Sequence, residues 1–300
     1  MSALQGRQAG DGVLKDALDR LYVSFNYPDS ARDPIQIVCR YPRPDDREIV
    51  AFLASGLAFG RVGSVMASVE NVCAAIGQSP AAFVRSFDPA RDATELRAIV
   101  HRWTRGEDLV GLIWTLRQLI EQHGSLERSF ALGLDPAAPD VEQALEAFAQ
   151  RARAVDLRPA YGRRPRRPGA HYFFSRPSTG SACKRLNLFL RWMVRKDAID
   201  PGGWTSVPAR QLVVPLDTHT IRVGKCLGLT RRVSPGWKMA SEITAALRAF
   251  DRDDPVRYDF ALCHLSMMGA CGYRTKRGNS HCPLKRLCSP IPRVTASCRA

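Results

Sequence analysis

Apolar residues at helical spacing are the feature that most constrains the fold of this chain. From residue 13 to residue 268 they recur every three or four positions, whereas alternating apolar and polar runs are short and isolated. The clearest case is 107–123, which places Leu109 and Leu116 on one face and ends before Gly124, a suitable helix C-cap. The pattern predicts an all-α fold.

The same periodicity places the individual helices. Residues 1–12 are expected to form a flexible lead-in, and 26–43, rich in proline and aspartate, is expected to be a loop. Asp45 and Asp46 favour a helix start because acids stabilise the positive end of the helix dipole. Further helices are predicted over 13–25, 62–76, 80–86, 92–104, 107–123, 139–153, 181–195, 218–227, 240–250 and 255–269.

The charge of the chain favours a polyanionic partner. Lys and Arg number 44 against 29 Asp and Glu, which gives a net charge of +15. A cationic surface concentrates nucleic acid, although an arginine-rich composition without a partner is the plainer alternative. Between 151 and 176, eight arginines accompany one acid, Asp156, and several aromatic residues. This segment is either a solvated linker or a phosphate-contacting loop, with Arg163, Arg164, Arg166 and Arg167 as the expected contacts.

The N-terminal residues lack the apolar core of a signal peptide, and no stretch of 18 uninterrupted apolar residues is present. We therefore expect a cytoplasmic protein that does not enter the membrane. Nine cysteines in a reducing compartment favour thiols or metal ligands over disulfides. Five of them lie between Cys263 and Cys298, which indicates a site in that segment.

A lysine and an aspartate stand at two predicted helix starts. Lys184 ends the run Gly180-Ser-Ala-Cys-Lys184, and Asp217 belongs to Pro215-Leu-Asp-Thr-His-Thr. An amine that attacks a sugar carbon needs a carboxylate to offset the positive charge that develops as the glycosidic bond breaks. Taken singly, Lys184 is more typical of a solvated or phosphate-binding lysine, and Asp217 of a helix N-cap.

These two motifs resemble those of the helix-hairpin-helix DNA glycosylases, the superfamily of endonuclease III. Gly180–Lys184 is similar to the family's Gly-Val-Gly-Arg-Lys hairpin, with Ala182 in place of the second glycine. Leu216-Asp217-Thr-His-Thr-Ile-Arg-Val is similar to its Val-Asp-Thr-His-x-x-Arg-Val. The run from Gly180 to Arg195 also resembles a group of uncharacterised bacterial and archaeal conserved hypothetical proteins.

The resemblance implies a two-lobed helical fold over 13–290. Relative to the glycosylases, 130–175 is a basic insertion, and the gap between the two motifs is lengthened within 196–212. Fold assignment tolerates both insertions, while either one could remodel a pocket or the path of a bound strand.

The resemblance also implies a bifunctional glycosylase and β-lyase of base-excision repair. Lys184 would be the nucleophile and Asp217 would stabilise the oxocarbenium-like charge. The partner would be duplex DNA with a damaged or modified base, bound by a monomer associated with the nucleoid. The alternatives are a non-catalytic nucleic-acid-binding module and an enzyme that acts on RNA or on an unusual base. The expected DNA contacts are Gly180, Ser181, Ala182, Arg185, Lys276 and Arg277, and the expected base-displacing wedges are Leu57 and Phe59. Taken singly, either wedge residue is more typical of core packing.

The cysteine-rich segment partly matches the family's four-iron cluster motif, C-x6-C-x2-C-x5-C. Cys271, Cys282 and Cys288 fit, whereas Asn279 stands where a cysteine is expected. The resemblance implies a [4Fe–4S] cluster with Cys298 as the fourth ligand, and Cys263 or His281 as other candidates. A zinc site, or free thiols without metal, remain as alternatives.

Overall fold

The computed structural model describes the backbone of residues 2–271 and 281–288, and side chains from residue 12 onward. Within these ranges it contains no β-strand, only two isolated bridges. The prediction of an all-α fold is confirmed. The helices are α1 Ser2–Phe25, α2 Ile35–Val38, α3 Pro44–Leu57, α4 Val62–Ile76, α5 Pro80–Ser86, α6 Thr94–Arg97, α7 Gly106–His123, α8 Leu126–Ala131, α9 Glu142–Ala154, α10 Arg158–Tyr161, α11 Lys184–Val194, α12 Thr218–Cys226, α13 Trp237–Arg248 and α14 Asp259–Met267.

Helix α3 is the centre of the molecule. It packs against α2, α4, α5 and α11, and every residue from Ile49 to Leu57 is buried. Phe52, 1% exposed, meets the rings of Phe174 and Phe189, which come from later parts of the chain. Burying one such side chain contributes about 1.5–3 kcal/mol. This packing fixes the carboxyl end of α3, where the candidate site lies.

The predicted helix over 92–104 is wrong beyond its first turn. Only Thr94–Arg97 is helical, because the chain then makes a tight turn in which His101 and Thr104 exchange both backbone hydrogen bonds. A Cβ at Gly106 would lie 2.3 Å from the Arg97 carbonyl oxygen, so the start of α7 packs directly against the end of α6. Helices α2, inside the predicted loop 26–43, α8 and α10 were not predicted at all.

Other predicted helices agree with the structure to within a few residues. Helices α4 and α5 have the predicted bounds, and the Gly124 C-cap of α7 has the positive φ of 87° that favours glycine. The predicted helix 13–25 lies within α1, which begins at Ser2. No helix of the described chain is both long and apolar enough to span a membrane.

The inserted segment 130–175 is folded onto the body of the molecule. Helix α9 packs against α7 and α8, and the short 3-10 helix Gly169–Phe173 packs against α7. The Tyr161 hydroxyl donates to Asp108 and accepts from the backbone N–H of Ala170, with distances of 3.0 and 3.1 Å. These bonds connect the insertion to the start of α7.

The longer connection after α11 is held by buried ion pairs. Asp200, fully buried, accepts from the guanidinium groups of Arg191 and Arg195. Arg195 also pairs with Asp197 at 2.8 Å and with Asp254 at 2.9 Å. Farther along, Trp204 Nε1 donates to Glu48 Oε1 at 2.8 Å. The connection is therefore an ordered part of the core that links α3, α11 and the region before α14.

Candidate active site

Lys184 and Asp217 line the same cavity, as the chemistry inferred from the sequence requires. The cavity holds about 130 Å³ and lies where the end of α3 meets the starts of α11 and α12 and one face of α14. Pockets for drug-sized ligands hold about 300–1,000 Å³, so this cavity suits one small reacting group. It is lined by Asp33, Pro34, Ala58, Gly60, Val62, Val65, Lys184, Leu188, Arg191, Pro215, Asp217, His219, Asp259, Cys263, His264 and Met267.

The lysine is placed by the turn that precedes α11. Gly180 has φ of 80° and Cys183 has φ of 49°, so the chain reverses direction immediately before the helix begins at Lys184. Lys184 is half-buried, and its Nζ donates to the Ala58 carbonyl oxygen at 2.7 Å. That carbonyl belongs to the C-cap of α3, where the helix dipole favours a cation.

Asp217 is an N-cap, and it also faces the cavity. Its Oδ1 accepts from the backbone N–H groups of His219 and Thr220, at 2.9 and 2.8 Å. Its Oδ2 accepts from the Cys263 thiol at 3.5 Å. One carboxylate oxygen thus holds the helix start while the other points toward groups on α14. The capping and the catalytic interpretations of Asp217 are compatible.

A second carboxylate, Asp259, lies in the same cavity and was missed by sequence reasoning. Burial raises its pKa to about 6, partly offset by Arg191 and reinforced by the charge of Asp217. Arg191 Nη1 donates to Asp259 Oδ2 at 2.8 Å. Asp259 starts α14 with no distinctive local motif, so only its packing against α11 and α12 shows its place.

Two further groups of the cavity were not placed there by the sequence analysis, which considered Cys263 only as a metal ligand and did not select His264. Burial raises the pKa of the Cys263 thiol well above its ordinary value, with the nearby Asp217 and Asp259 carboxylates adding to the effect. His264 Nε2 lies 3.6 Å from Asp33 Oδ2, and burial lowers the pKa of this imidazole. Cys263 therefore lies in the lysine cavity rather than among the other C-terminal cysteines.

The turn before α11 presents backbone groups to solvent. Ser181 and Ala182 are partly exposed, and the side chain of the N-cap residue, Cys183, accepts no hydrogen bond from the N–H groups at the start of α11. Gly236 packs so closely beneath Gly180 that a Cβ on it would meet the Gly180 carbonyl oxygen at 2.7 Å. The free end of α11 has the partial positive charge that attracts anions such as phosphate.

Arg185 does not occupy the surface position expected of a DNA contact. It is 9% exposed, and its guanidinium donates to the carbonyl oxygens of Gly56 and Tyr172. Its charge lies against the Tyr172 ring, 3.6 Å from the centroid. Because its position on α11 faces α3, the side chain turns inward, and burial lowers its pKa to about 10.

The two predicted wedge residues have different environments. Leu57 is 1% exposed and belongs to the core, so it cannot enter a duplex without leaving its packing site. Phe59 is half-buried and lies between Ala58 and Gly60 on the rim of the cavity. The structure therefore leaves Phe59 as the surface-reaching residue of this pair.

The arginine segment borders a separate groove. Arg163, Arg164, Arg166 and Arg167 are exposed, and none of them forms an ion pair within the described part of the chain. The groove beside them holds about 820 Å³ and is also lined by Arg153 and His171. It is much larger than the Lys184 cavity but contains no residue of it, so we assign it no chemistry.

Four cysteines come together at the C-terminal end of α12. Cys226 Sγ lies 2.6 Å from Cys288 Sγ, and Cys271 is also within hydrogen-bonding reach of Cys226. Burial raises the pKa of the Cys282 thiol, and Cys271 and Cys288 act on it in the same direction. The sequence analysis did not select Cys226, because it lies on another helix, far from the C-terminal motif.

The four thiols are suitable donors for a soft metal, but their arrangement in the structure is not that of a metal site. Thiolates are the ligands of iron–sulfur clusters and of structural zinc. Across 2–271 and 281–288, however, no group of three or more histidine, cysteine or acidic side chains has the arrangement needed to hold a metal ion. Cys298, Lys276 and Arg277 lie outside the described residues.

Comparison with known proteins assigns the chain to a family. Residues 33–268 match the family model described as "Protein of unknown function (DUF2400)". The chain belongs to this family. No curated protein and no solved structure matches it. The DUF2400 match includes Lys184, Asp217 and Asp259, whereas Cys271, Cys282 and Cys288 follow it in the chain.

Proposed function

We propose that this DUF2400 protein is a DNA glycosylase and abasic-site lyase of the helix-hairpin-helix type. The observation that carries the proposal is the shared cavity of about 130 Å³, which is lined by an amine on one helix start and a carboxylate on another. A glycosylase needs these two groups together, at the point where a nucleotide flipped from the duplex presents its reacting sugar carbon.

Lys184 acts as the nucleophile. Its Nζ, after losing a proton, attacks C1′ of the flipped nucleotide, and the glycosidic C–N bond breaks. The base leaves with the bonding electron pair and takes up a proton. The sugar ring then opens as a C=N bond forms between Nζ and C1′, and the ring oxygen is protonated. Removal of a C2′ proton expels the 3′ phosphate.

Asp217 and Asp259 divide the acid and base work. Asp217 Oδ2 lies on the cavity side of the N-cap, where its negative charge stabilises the positive charge that develops on the sugar. Asp259, with a pKa of about 6, is suited to accept and return a proton near neutral pH. Arg191 keeps Asp259 in place.

The binding surface outside the cavity is electrostatic. The partly exposed turn at Ser181 and Ala182 and the start of α11 offer N–H groups to one phosphate. The exposed arginines of 163–167 extend the cationic surface beside the groove. These contacts carry no base sequence information, so they suit an enzyme that inspects many sites.

We also propose that Cys226, Cys271, Cys282 and Cys288 bind a [4Fe–4S] cluster, with zinc as the alternative. Cys226 takes the fourth place that the sequence analysis assigned to Cys298, because its sulfur approaches Cys288 and Cys271. The cluster would join the end of α12 to the C-terminal segment and so support the helix that Asp217 caps. No step of the reaction passes through it.

Borohydride trapping tests the proposal. The protein is mixed with a duplex oligonucleotide containing one abasic site, and the iminium is reduced to a stable cross-link. We expect a cross-link with the unchanged protein and none with Lys184→Ala. Lys225→Ala is the matched control, because Lys225 also donates to a backbone carbonyl, at 3.3 Å, but does not line the cavity.

Two results would contradict the assignment. A cross-link that persists in Lys184→Ala would identify another amine as the nucleophile. If the unchanged protein binds the duplex but forms no cross-link and releases no base from any DNA or RNA substrate, the chain is a non-catalytic nucleic-acid-binding module.

A further inference from the structure

Three aromatic rings form a partly exposed cluster next to the Lys184 cavity. Phe59 and Trp103 are stacked, with ring centroids 4.5 Å apart and planes 22° apart. Tyr172 meets both rings edge-on, at 5.9 and 5.7 Å. Trp103 is 53% exposed and Tyr172 is 42% exposed. Large rings left in water in one contiguous patch are typical of a binding surface.

The turn that carries Trp103 is rigidly held. The backbones of His101 and Thr104 exchange two hydrogen bonds, of 3.0 and 2.9 Å. The buried His101 ring bonds to Ser68 Oγ at 2.8 Å and to the Phe59 carbonyl oxygen at 3.0 Å. Trp103 is therefore presented at a fixed position, and little side-chain freedom would be lost when a ligand stacks on it.

The backbone of this turn is strained. Arg102 has φ of 56°, a left-handed conformation that a non-glycine residue adopts at a cost of order 1–3 kcal/mol. Such strain persists only where surrounding contacts hold it, and here it places Trp103 at the tip of the turn. Trp103 stacks on Phe59, yet 53% of its surface stays exposed and is available to a ligand.

Two guanidinium groups decide the chemistry of the ligand. Arg102 lies 5.2 Å from the Trp103 ring centroid, and Arg185 lies 3.6 Å from that of Tyr172. Arg185 is buried and forms no ion pair within the part of the chain that the structure describes. Because cations already lie on these rings, a cationic ligand would be repelled, whereas a planar group on an anionic backbone would be attracted.

The position of the cluster is consistent with a nucleic-acid strand. Phe59 lies between Ala58 and Gly60, which line the Lys184 cavity, and Tyr172 follows His171, which lines the arginine groove. The residues of the cluster are thus sequence neighbours of residues that line the proposed reaction site and of one that lines the arginine groove. A strand bound along this surface would bring bases as well as phosphates to the protein.

We propose that the cluster of Phe59, Trp103 and Tyr172 stacks an unpaired nucleobase outside the cavity, on the exposed ring of Trp103. The proposal rests on the nucleic-acid binding in the proposed function but not on catalysis by Lys184. Base–aromatic stacking tolerates any base, because each has a π-face. The site would distinguish nucleic acid with an unpaired base from a fully paired duplex.

Binding of two oligonucleotide duplexes tests this site. One contains a single bulged 2-aminopurine, and the other carries the same fluorescent base in a paired position. We expect Trp103→Ala to weaken binding of the bulged duplex about tenfold, as removal of one stacked base predicts, and of the paired duplex less than about twofold. Trp103→Phe should retain most of the affinity. Trp114→Ala is the control, since Trp114 is largely buried and its Nε1 donates to the Asp156 carbonyl oxygen.

The outcomes separate this site from the proposed reaction. Equal weakening for both duplexes, or no weakening for either, would overturn the stacking site. Selective weakening together with an absence of borohydride trapping would keep the stacking site and remove the catalytic proposal. If Lys184 is trapped but Trp103→Ala binds the bulged duplex with unchanged affinity, the catalytic proposal stands and the stacking site is overturned.

Discussion

At the scale of single residues, Asp217 can be tested without disturbing the fold. Asparagine caps a helix nearly as well as aspartate, so Asp217→Asn should keep the bonds to His219 and Thr220. The charge that stabilises the transition state is removed, and we expect base release to slow by about 100- to 1,000-fold. Single-turnover kinetics measures the rate, and thermal unfolding checks that stability is unchanged.

An active Asp217→Asn variant would reduce Asp217 to a cap. Asp140→Asn is a matched control, because Asp140 also accepts a backbone N–H near a helix start, that of Glu142 at 2.9 Å, but lies outside the cavity. Its base-release rate should equal that of the unchanged protein.

Sequence reasoning found the two residues with motifs and missed those without them. Lys184 and Asp217 stand in short recognisable runs at helix starts, and both line the cavity. Asp259 and Cys263 face the same space only because α14 packs against α12. A long-range contact of this kind leaves no local pattern, so the chain had to be folded before these groups could be seen.

At the scale of elements, the arginine segment predicts how the affinity for DNA depends on salt. None of the four exposed arginines of 163–167 forms an ion pair within the described chain, so all four can neutralise phosphates. Replacing all four with alanine should flatten the dependence of log K on log salt by about 0.9 for each phosphate that the protein no longer neutralises. Fluorescence anisotropy of a labelled duplex at several salt concentrations measures the slope.

The control for the arginine segment carries the same change in net charge elsewhere. It replaces four exposed arginines that lie on other elements, Arg32, Arg97, Arg231 and Arg252. If both quadruple variants flatten the slope equally, the effect is one of overall charge and the segment has no specific contact with DNA.

The cysteine cluster makes a prediction about metal. Protein purified without oxygen should contain iron and sulfide in about equal amounts, and Cys226→Ser should lose them as fully as Cys282→Ser. Cys73→Ser is the control, since Cys73 is buried on α4. Metal content by plasma emission and the visible absorption spectrum give the result.

Other results would change the assignment of the metal or of its ligands. Zinc without sulfide would favour the alternative metal, and loss of metal in Cys298→Ser but not in Cys226→Ser would return the fourth place to Cys298. Protein without any metal would leave four reduced thiols.

The same scale shows where helix prediction fails. Periodicity placed α4, α5 and α7 because long apolar stripes record their burial. It extended α6 to residue 104, since Leu96, Ile99 and Val100 continue the pattern, although Ile99 and Val100 are not helical and lead into the turn that begins at His101. Tertiary hydrogen bonds overrode the local preference, and the resulting turn carries Trp103.

At the scale of the whole molecule, buried ion pairs connect elements that are distant in sequence. Arg195 is 4% exposed and contacts Asp197, Asp200 and Asp254. The charged state of its guanidinium is favoured by these carboxylates, which raise its pKa against the effect of burial. The sequence analysis identified 196–212 only as a connection longer than that of the glycosylases. Pairing among residues up to 59 positions apart has no sequence signature.

Removing Arg195 should therefore weaken the entire fold rather than the reaction. Arg195→Ala removes one of the two cations that pair with the buried Asp200, and also the cation that pairs with Asp197 and Asp254. We expect the free energy of unfolding to fall by about 3–5 kcal/mol. The neighbouring Lys196→Ala is the control, since Lys196 is exposed and should change stability by less than about 1 kcal/mol. Urea unfolding followed by circular dichroism measures both.

At temperatures where Arg195→Ala remains folded, its trapping by borohydride should match that of the unchanged protein, because Lys184 and Asp217 keep their own contacts. Equal stability of the two variants would show that the network contributes nothing to the fold, and an absence of trapping in a fully folded Arg195→Ala would place Arg195 in the function of the cavity instead.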